Sequence, residues 1–159
     1  VRIAHAVGVD VEAELGYVGR AEEIVTGSAV GLTSPDEVVE FIERTGVDAL
    51  AVAIGNAHGV YRGTPWLDLE RLAQIRRKAD VPLVLHGGSG IGEDTLRQGI
   101  GLGICKVNIF TDLYIEARAR TREILGAESM WQKIMSHAYR GVEEVAGEKM
   151  RLFGSVGKA

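Results

Sequence analysis

Cysteine is close to absent: Cys105 is the only one in 159 residues. A lone cysteine forms no internal disulfide, which excludes a disulfide-stapled scaffold and fits a cytoplasmic protein. It lies in the apolar run from Ile104 to Ile109 and is expected to be a reduced, buried core residue. No apolar stretch reaches the roughly 18 residues that read as a membrane span, and no signal peptide opens the chain. Basic residues are not in excess: 18 Lys and Arg stand against 22 Asp and Glu, for a net charge of −4, with no block of like charge. With no basic stripe and no Cys/His finger spacing, nucleic-acid binding is excluded as a function class. What is present, 46% hydrophobic and 25% charged residues, is the composition of a globular domain with a sizeable core. The length suggests one domain. The chain begins at Val1 without an initiator methionine and is expected to be the remainder of a longer protein.

Short apolar runs alternate with amphipathic patterns. Arg2 to Val7 reads as the end of a helix and Val9 to Leu15 as a strand, with Glu12 and Glu14 on one face. Gly16 to Leu32 is polar and glycine-punctuated, a long loop of the kind that is usually functional. Ser34-Pro35-Asp36-Glu37 is expected to open a helix as a capping box, and Gly46 to end it. Strands follow at Ala49 to Ile54, Pro82 to His86 and Cys105 to Ile109. Helices are expected at Leu67 to Lys78, Glu93 to Leu102, Asp112 to Leu125 and Ser129 to about Phe153. Four strands, each followed by a helix and apolar on both faces, predict a parallel sheet with covered faces. An open doubly wound sheet and part of a (β/α)8 barrel both satisfy this order; a whole barrel needs roughly 250 residues.

The polar residues of interest lie just beyond the strand ends, where parallel-sheet folds place their sites. Asn56-Ala57-His58-Gly59 follows one strand and His86-Gly87-Gly88-Ser89-Gly90 the next. His58 and His86 are 28 positions apart, one βα unit, so both imidazoles can face one mouth. Imidazole is a common zinc ligand, and a catalytic zinc usually takes three protein ligands and one open position. Ordinary hydrogen bonding by two loop histidines is the other reading of the same spacing. Gly87, Gly88, Ser89 and Gly90 allow close approach of an anion to backbone N–H groups, or make a tight turn. Asn108-Ile109-Phe110-Thr111-Asp112 ends the next strand and starts a helix, whose N-terminus favours phosphate. Glu12 and Glu14 sit at a strand end, and Glu22 and Glu23 in the long loop, where a carboxylate can serve proton transfer. His5 and His137 read as surface or packing residues, and Trp66 and Trp131 as packing anchors.

Four co-linear stretches carry a family resemblance over essentially the whole chain. Val11-Glu12-Ala13-Glu14-Leu15-Gly16, Ala57-His58-Gly59-Val60-Tyr61, Leu83 to Gly90, and Lys106-Val107-Asn108-Ile109 with Thr111 resemble the successive signatures of class II fructose- and tagatose-bisphosphate aldolases. Phe153-Gly154-Ser155 looks like that family's C-terminal ending. The resemblance implies an α/β protein of the (β/α)8 TIM-barrel type. Residues 1–159 would supply about strands five to eight and the C-terminal helices, the second half of a single domain. It implies that His58 and His86 are two of three zinc (Zn2+) ligands. Gly59, Gly87, Gly88, Ser89, Asn108, Ile109, Phe110 and Thr111 would hold a substrate phosphate and its neighbours, some through a monovalent cation, Na+ or K+. Glu14 matches a glutamate near the metal and Glu22 a mobile-loop glutamate implicated in proton transfer. The implied reaction is reversible aldol cleavage of a phosphorylated ketose to dihydroxyacetone phosphate and glyceraldehyde 3-phosphate. The implied setting is carbohydrate metabolism in the cytoplasm, by a homodimer or homotetramer, with no nucleic acid or membrane as partner.

The sequence departs from the family in several places. The motif of the His-x-Asp-His type, which brings the third zinc histidine and a catalytic aspartate, does not occur. Arg20 stands where a glycine is usual, Ala21 where a polar residue is usual, and Phe110 where some members have a small or acidic residue. Two other expectations fit the same residues: a truncated, non-catalytic phosphate-binding half-barrel, and an aldolase for another phosphorylated ketose such as an inositol-breakdown intermediate.

Overall fold

The computed structural model describes residues 1–21 and 31–158, which form two compact units, Val1–Asn108 and Ile109–Ala159. The first contains α1 (Arg2–His5), β1 (Glu12–Leu15), α2 (Val38–Thr45), β2 (Ala49–Val52), α3 (Leu69–Lys78), β3 (Leu83–Leu85), α4 (Glu93–Gly101) and β4 (Ile104–Val107). The second contains α5 (Thr111–Ile124) and α6 (Trp131–Leu152). The four strands pair in parallel in the order β1-β2-β3-β4, so each crossover returns through a helix to the neighbouring position. This is the α/β alternation that the sequence predicts.

Two residue patterns build the sheet. Leu50 and Val52 of β2 and Leu83 and Leu85 of β3 are fully buried, as are Val38, Leu72, Ile75 and Leu96 of the helices. On the alternate positions β2 carries Ala49 and Ala51, in register with Glu12 and Glu14 of β1. Ala51 is in turn in register with Val84, and Val84 with Lys106. The middle of this face is therefore floored by small side chains and flanked by charged ones.

Local chemistry sets the helix ends. Asp68 caps α3, its side chain accepting from the Arg71 N–H at 2.9 Å. Gly46 closes α2 in the left-handed conformation at φ 67°, its N–H donating to the Ile42 carbonyl. The expected capping box at Ser34 does not form. Pro35–Glu37 makes a turn in which the Glu37 N–H donates to the Ser34 carbonyl at 3.2 Å, and α2 starts at Val38 with no side-chain cap.

Cys105 is exposed rather than buried. It lies on β4, an outer strand of the described sheet with only β3 beside it, so an apolar run there does not guarantee cover on both faces. Trp131, read as a packing anchor, is 63% exposed at the start of α6. Trp66 is 40% exposed but does pack, with its ring over Gly55.

In the second unit α6 buries Ile134, Ala138 and Gly141, a stripe spaced by four and three residues, whereas α5 fully buries none. Gly141 lets the helices approach: a Cβ there would lie 2.6 Å from Arg120 Cγ and 2.9 Å from Glu116 Cγ.

Gly99, inside α4, is different. It is buried, and a Cβ would meet only Ile104 and Leu72 at 3.9 and 4.0 Å, ordinary contact distances. Glycine in a helix interior is less favourable than alanine by roughly 0.5–1 kcal/mol. Gly99→Ala is therefore expected to stabilise the protein by about that amount, read as a raised urea midpoint at unchanged m-value.

Candidate active site

His58 and His86 leave neighbouring strands, β2 and β3, on loops fastened to each other. Asn56, 2% exposed, accepts from the Ile54 N–H at 2.8 Å and donates its amide to the His86 carbonyl at 2.9 Å. The Tyr61 hydroxyl accepts from the Ala57 N–H at 2.8 Å and faces the carbonyls of Ala57 and Gly87 at 3.1 and 3.3 Å. Burial pushes the Tyr61 phenol above its ordinary range, only partly opposed by the Ala57 N–H. Gly87, at φ 62°, lies so close to the neighbouring loop that a Cβ would sit 2.1 Å from the Ala57 oxygen. His58 is also paired through its backbone: its N–H donates to the Gly19 carbonyl at 2.9 Å, and its carbonyl accepts from Ala21 at 2.8 Å. Gly19 and Ala21, on either side of Arg20, thus support the backbone of His58.

The two imidazoles come together, with ring centroids 6.1 Å apart and planes tilted by 38°. At zinc–nitrogen distances of about 2.0–2.1 Å, two rings on one ion have centroids about 5.2 Å apart at the tetrahedral angle and at most about 6.4 Å. The pair fits within that limit and needs about 1 Å of closure for the tetrahedral arrangement. Among the described residues, no group of three or more His, Cys, Asp or Glu is arranged to hold a metal ion. The two imidazoles are one donor short of the three protein ligands that a catalytic zinc usually takes.

His86 is 19% exposed at its side chain and lies between two carboxylates of β1. Nδ1 is 2.7 Å from Glu14 Oε2, and Nε2 is 3.0 Å from Glu12 Oε1. Lys106 Nζ holds the other Glu12 oxygen at 2.8 Å. Two strand spacings separate β1 from β3, roughly 10 Å. The glutamates cross that gap because Ala51 lies between the strands; it is itself fully buried. Burial is the largest single influence on the Glu12 carboxyl and raises its pKa. Hydrogen bonds and charge from Lys106 and His86 together outweigh it, and the group is held below the usual carboxylate range.

The glycine-rich stretch is anchored to the end of β4. The Gly88 N–H donates to the Asn108 carbonyl at 3.0 Å, and the Asn108 N–H to the Leu85 carbonyl at 2.9 Å. Gly88 therefore spends its own N–H within the fold. Ser89 is 4% exposed, Gly90 lies against the Tyr61 ring, and Gly59 follows His58 at φ 100°. The structure thus brings together Glu12, Glu14, His58 and His86 with their Asn56 and Tyr61 supports, and Gly88 with Asn108. Ile109, Phe110 and Thr111 belong to the second unit. There Thr111 opens α5 and Phe110, 72% exposed, stacks on Tyr114 at 6.2 Å. Glu22 and Glu23 lie outside the described residues.

Asn56, Tyr61 and Lys106 have no role assigned by the sequence reading. A signal existed for two of them: Asn56 interrupts an otherwise apolar stretch directly after a buried strand, and Lys106 is a charge within one.

The fold and the residues at its strand ends match known proteins. The chain is 45% identical over 158 residues to YdjI of Escherichia coli (strain K12), covering 98% of this chain and 55% of that protein. The crystal structure of the YdjI aldolase superposes with a TM-score of 0.85 at 43% identity, over 100% of this chain and 55% of the other. A fructose-bisphosphate aldolase of Geobacillus stearothermophilus is 41% identical over 162 aligned positions, 100% of this chain and 56% of that protein. The crystal structure of a putative fructose-1,6-biphosphate aldolase from Coccidioides immitis gives a TM-score of 0.84 at 30% identity, over 97% of this chain and 55% of that one. The chain spans about half the length of these relatives, whose fold is the (β/α)8 barrel. Residues 1–158 match the family model described as fructose-bisphosphate aldolase class-II, and the chain belongs to that family.

Proposed function

We propose that this chain is part of a zinc-dependent aldolase that reversibly cleaves a ketose bisphosphate, of fructose or tagatose, to dihydroxyacetone phosphate and glyceraldehyde 3-phosphate. The observation that carries this reading is the meeting of His58 and His86, 6.1 Å apart, on loops locked to one another by Asn56 and Tyr61. The fructose-bisphosphate aldolase name of the Geobacillus stearothermophilus relative supports the substrate class. His58 and His86 would hold the zinc, with a third ligand from outside this chain. Zinc, when bound, acts as a Lewis acid on the ketose carbonyl.

The chain's own residues orient the substrate. Gly59, Gly87, Gly88, Ser89 and Asn108 would line the place of a phosphate and an accompanying Na+ or K+ beside the histidines, with the N–H groups of Gly88 and Asn108 holding the loop rather than the anion. Glu14, at 2.7 Å from His86 Nδ1, stands next to the reacting centre. Glu22 is the group to which the resemblance assigns proton transfer. We place residues 1–159 in one barrel domain of a cytoplasmic homodimer or homotetramer.

Metal removal tests the reading. The full-length protein carrying this chain is expected to lose cleavage of both ketose bisphosphates after exhaustive chelation and to regain it on adding zinc. Activity that survives removal of all metal would overturn it.

A further inference from the structure

We infer that Glu12, clamped by Lys106, is the positioning residue that keeps His86 Nε2 and leaves Nδ1 for the metal. The inference rests on His86 being a zinc ligand, as proposed above. A ligating imidazole gives one nitrogen to the metal and donates the other N–H to a carboxylate or carbonyl, which fixes its tautomer and orientation. His86 has a carboxylate on each nitrogen, Glu14 on Nδ1 and Glu12 on Nε2, so an incoming zinc displaces one of them.

The two carboxylates are not equivalent. Glu12 is committed at both oxygens, Oε1 to His86 at 3.0 Å and Oε2 to Lys106 at 2.8 Å. Lys106 comes from β4, at the position in register with Val84, so the clamp reaches from the first strand of the sheet to the last. Glu14 contacts one side chain among the described residues, His86, through Oε2. Displacing Glu12 disturbs a hydrogen-bonded chain of three side chains, whereas displacing Glu14 gives up a single contact. The metal therefore takes Nδ1, and Glu14, once released, remains beside it. Lys106 acts through Glu12 and touches no reacting atom; it too is a positioning residue.

A zinc-loaded crystal structure of the full-length protein tests this without any variant. The expected result is His86 Nδ1 within about 2.0–2.1 Å of zinc, with Glu12 still bonded to Nε2. Zinc on Nε2 with Glu12 turned away would overturn the inference and leave the zinc reading standing. Zinc bound without His86 would overturn both.

Zinc affinity, measured by chelator competition, gives a second readout. Lys106→Met is expected to weaken binding roughly 10–100-fold, the usual effect of losing a ligand's outer partner. Lys106→Arg, which keeps the cation, is expected to restore most of it. The thermal midpoint of the metal-free protein separates this from a loss of folding. Unchanged zinc affinity in Lys106→Met, or an arginine variant as weak as the methionine one, would count against the clamp.

Discussion

His86→Ala in the full-length protein is expected to lower kcat/KM for ketose-bisphosphate cleavage by about three orders of magnitude or more. A metal acting as Lewis acid contributes several kcal/mol to such a reaction, and each 1.4 kcal/mol is about tenfold in rate. The substitution removes one proposed ligand and also leaves Glu12 and Glu14 without the ring between them. His58→Ala is expected to lose a comparable amount of activity with little cost in stability. His58 is exposed, and its contribution to the fold runs through backbone bonds to Gly19 and Ala21, which alanine keeps. Steady-state cleavage rates and zinc content of both variants check this. Activity within tenfold of the parent in His86→Ala would remove His86 from the chemistry.

The second large effect is expected from a single methyl group. At Gly87 a Cβ would lie 2.1 Å from the Ala57 oxygen, 2.6 Å from its carbonyl carbon and 3.2 Å from the His58 nitrogen, at φ 62°. Backbone atoms cannot yield as a flexible side chain does. Left-handed strain costs a non-glycine residue roughly 1–2 kcal/mol and overpacking typically 1–3 kcal/mol. Gly87→Ala should destabilise by about 2–5 kcal/mol, read from the denaturant midpoint, and should weaken zinc binding because it displaces the backbone of His58. Gly92→Ala is the matched control. Its glycine has φ −59° and open space around the Cβ position, so only the loss of a favourable helix N-cap residue, at most about 1 kcal/mol, is expected. Similar losses in both variants would show that Gly87 is not kept for close approach.

The alternation of strands and helices, and the placing of both histidines beyond strand ends, were legible because each depends on a local pattern. Glu12 and Glu14 on one face of β1 followed from the period of two alone. Their partners did not. Lys106 is 94 positions from Glu12 and His86 is 72 from Glu14, and these meetings depend on strand order and register. Ala51, which leaves room for the bridge, looks in the sequence like any other small core residue. Ser34 shows the opposite failure. The capping motif is present in the sequence, yet the chain turns at Pro35–Glu37 and the helix starts after it. The apolar neighbours of Cys105 predict a core position, but its strand lies at the side of the sheet, which no local pattern carries, and the thiol is exposed.

Asn56 and Tyr61 have a consequence for how a metal would leave. Each bonds across from the loop of His58 to the loop of His86. Neither loop can open without breaking bonds to the other, so the two histidines belong to one cooperative opening unit. Metal release would then follow a single joint opening event, and amide protection at Ile54 and Ala57, whose N–H groups bond to these two side chains, would report on that event. The residence time of the metal would be set by two residues that never touch it.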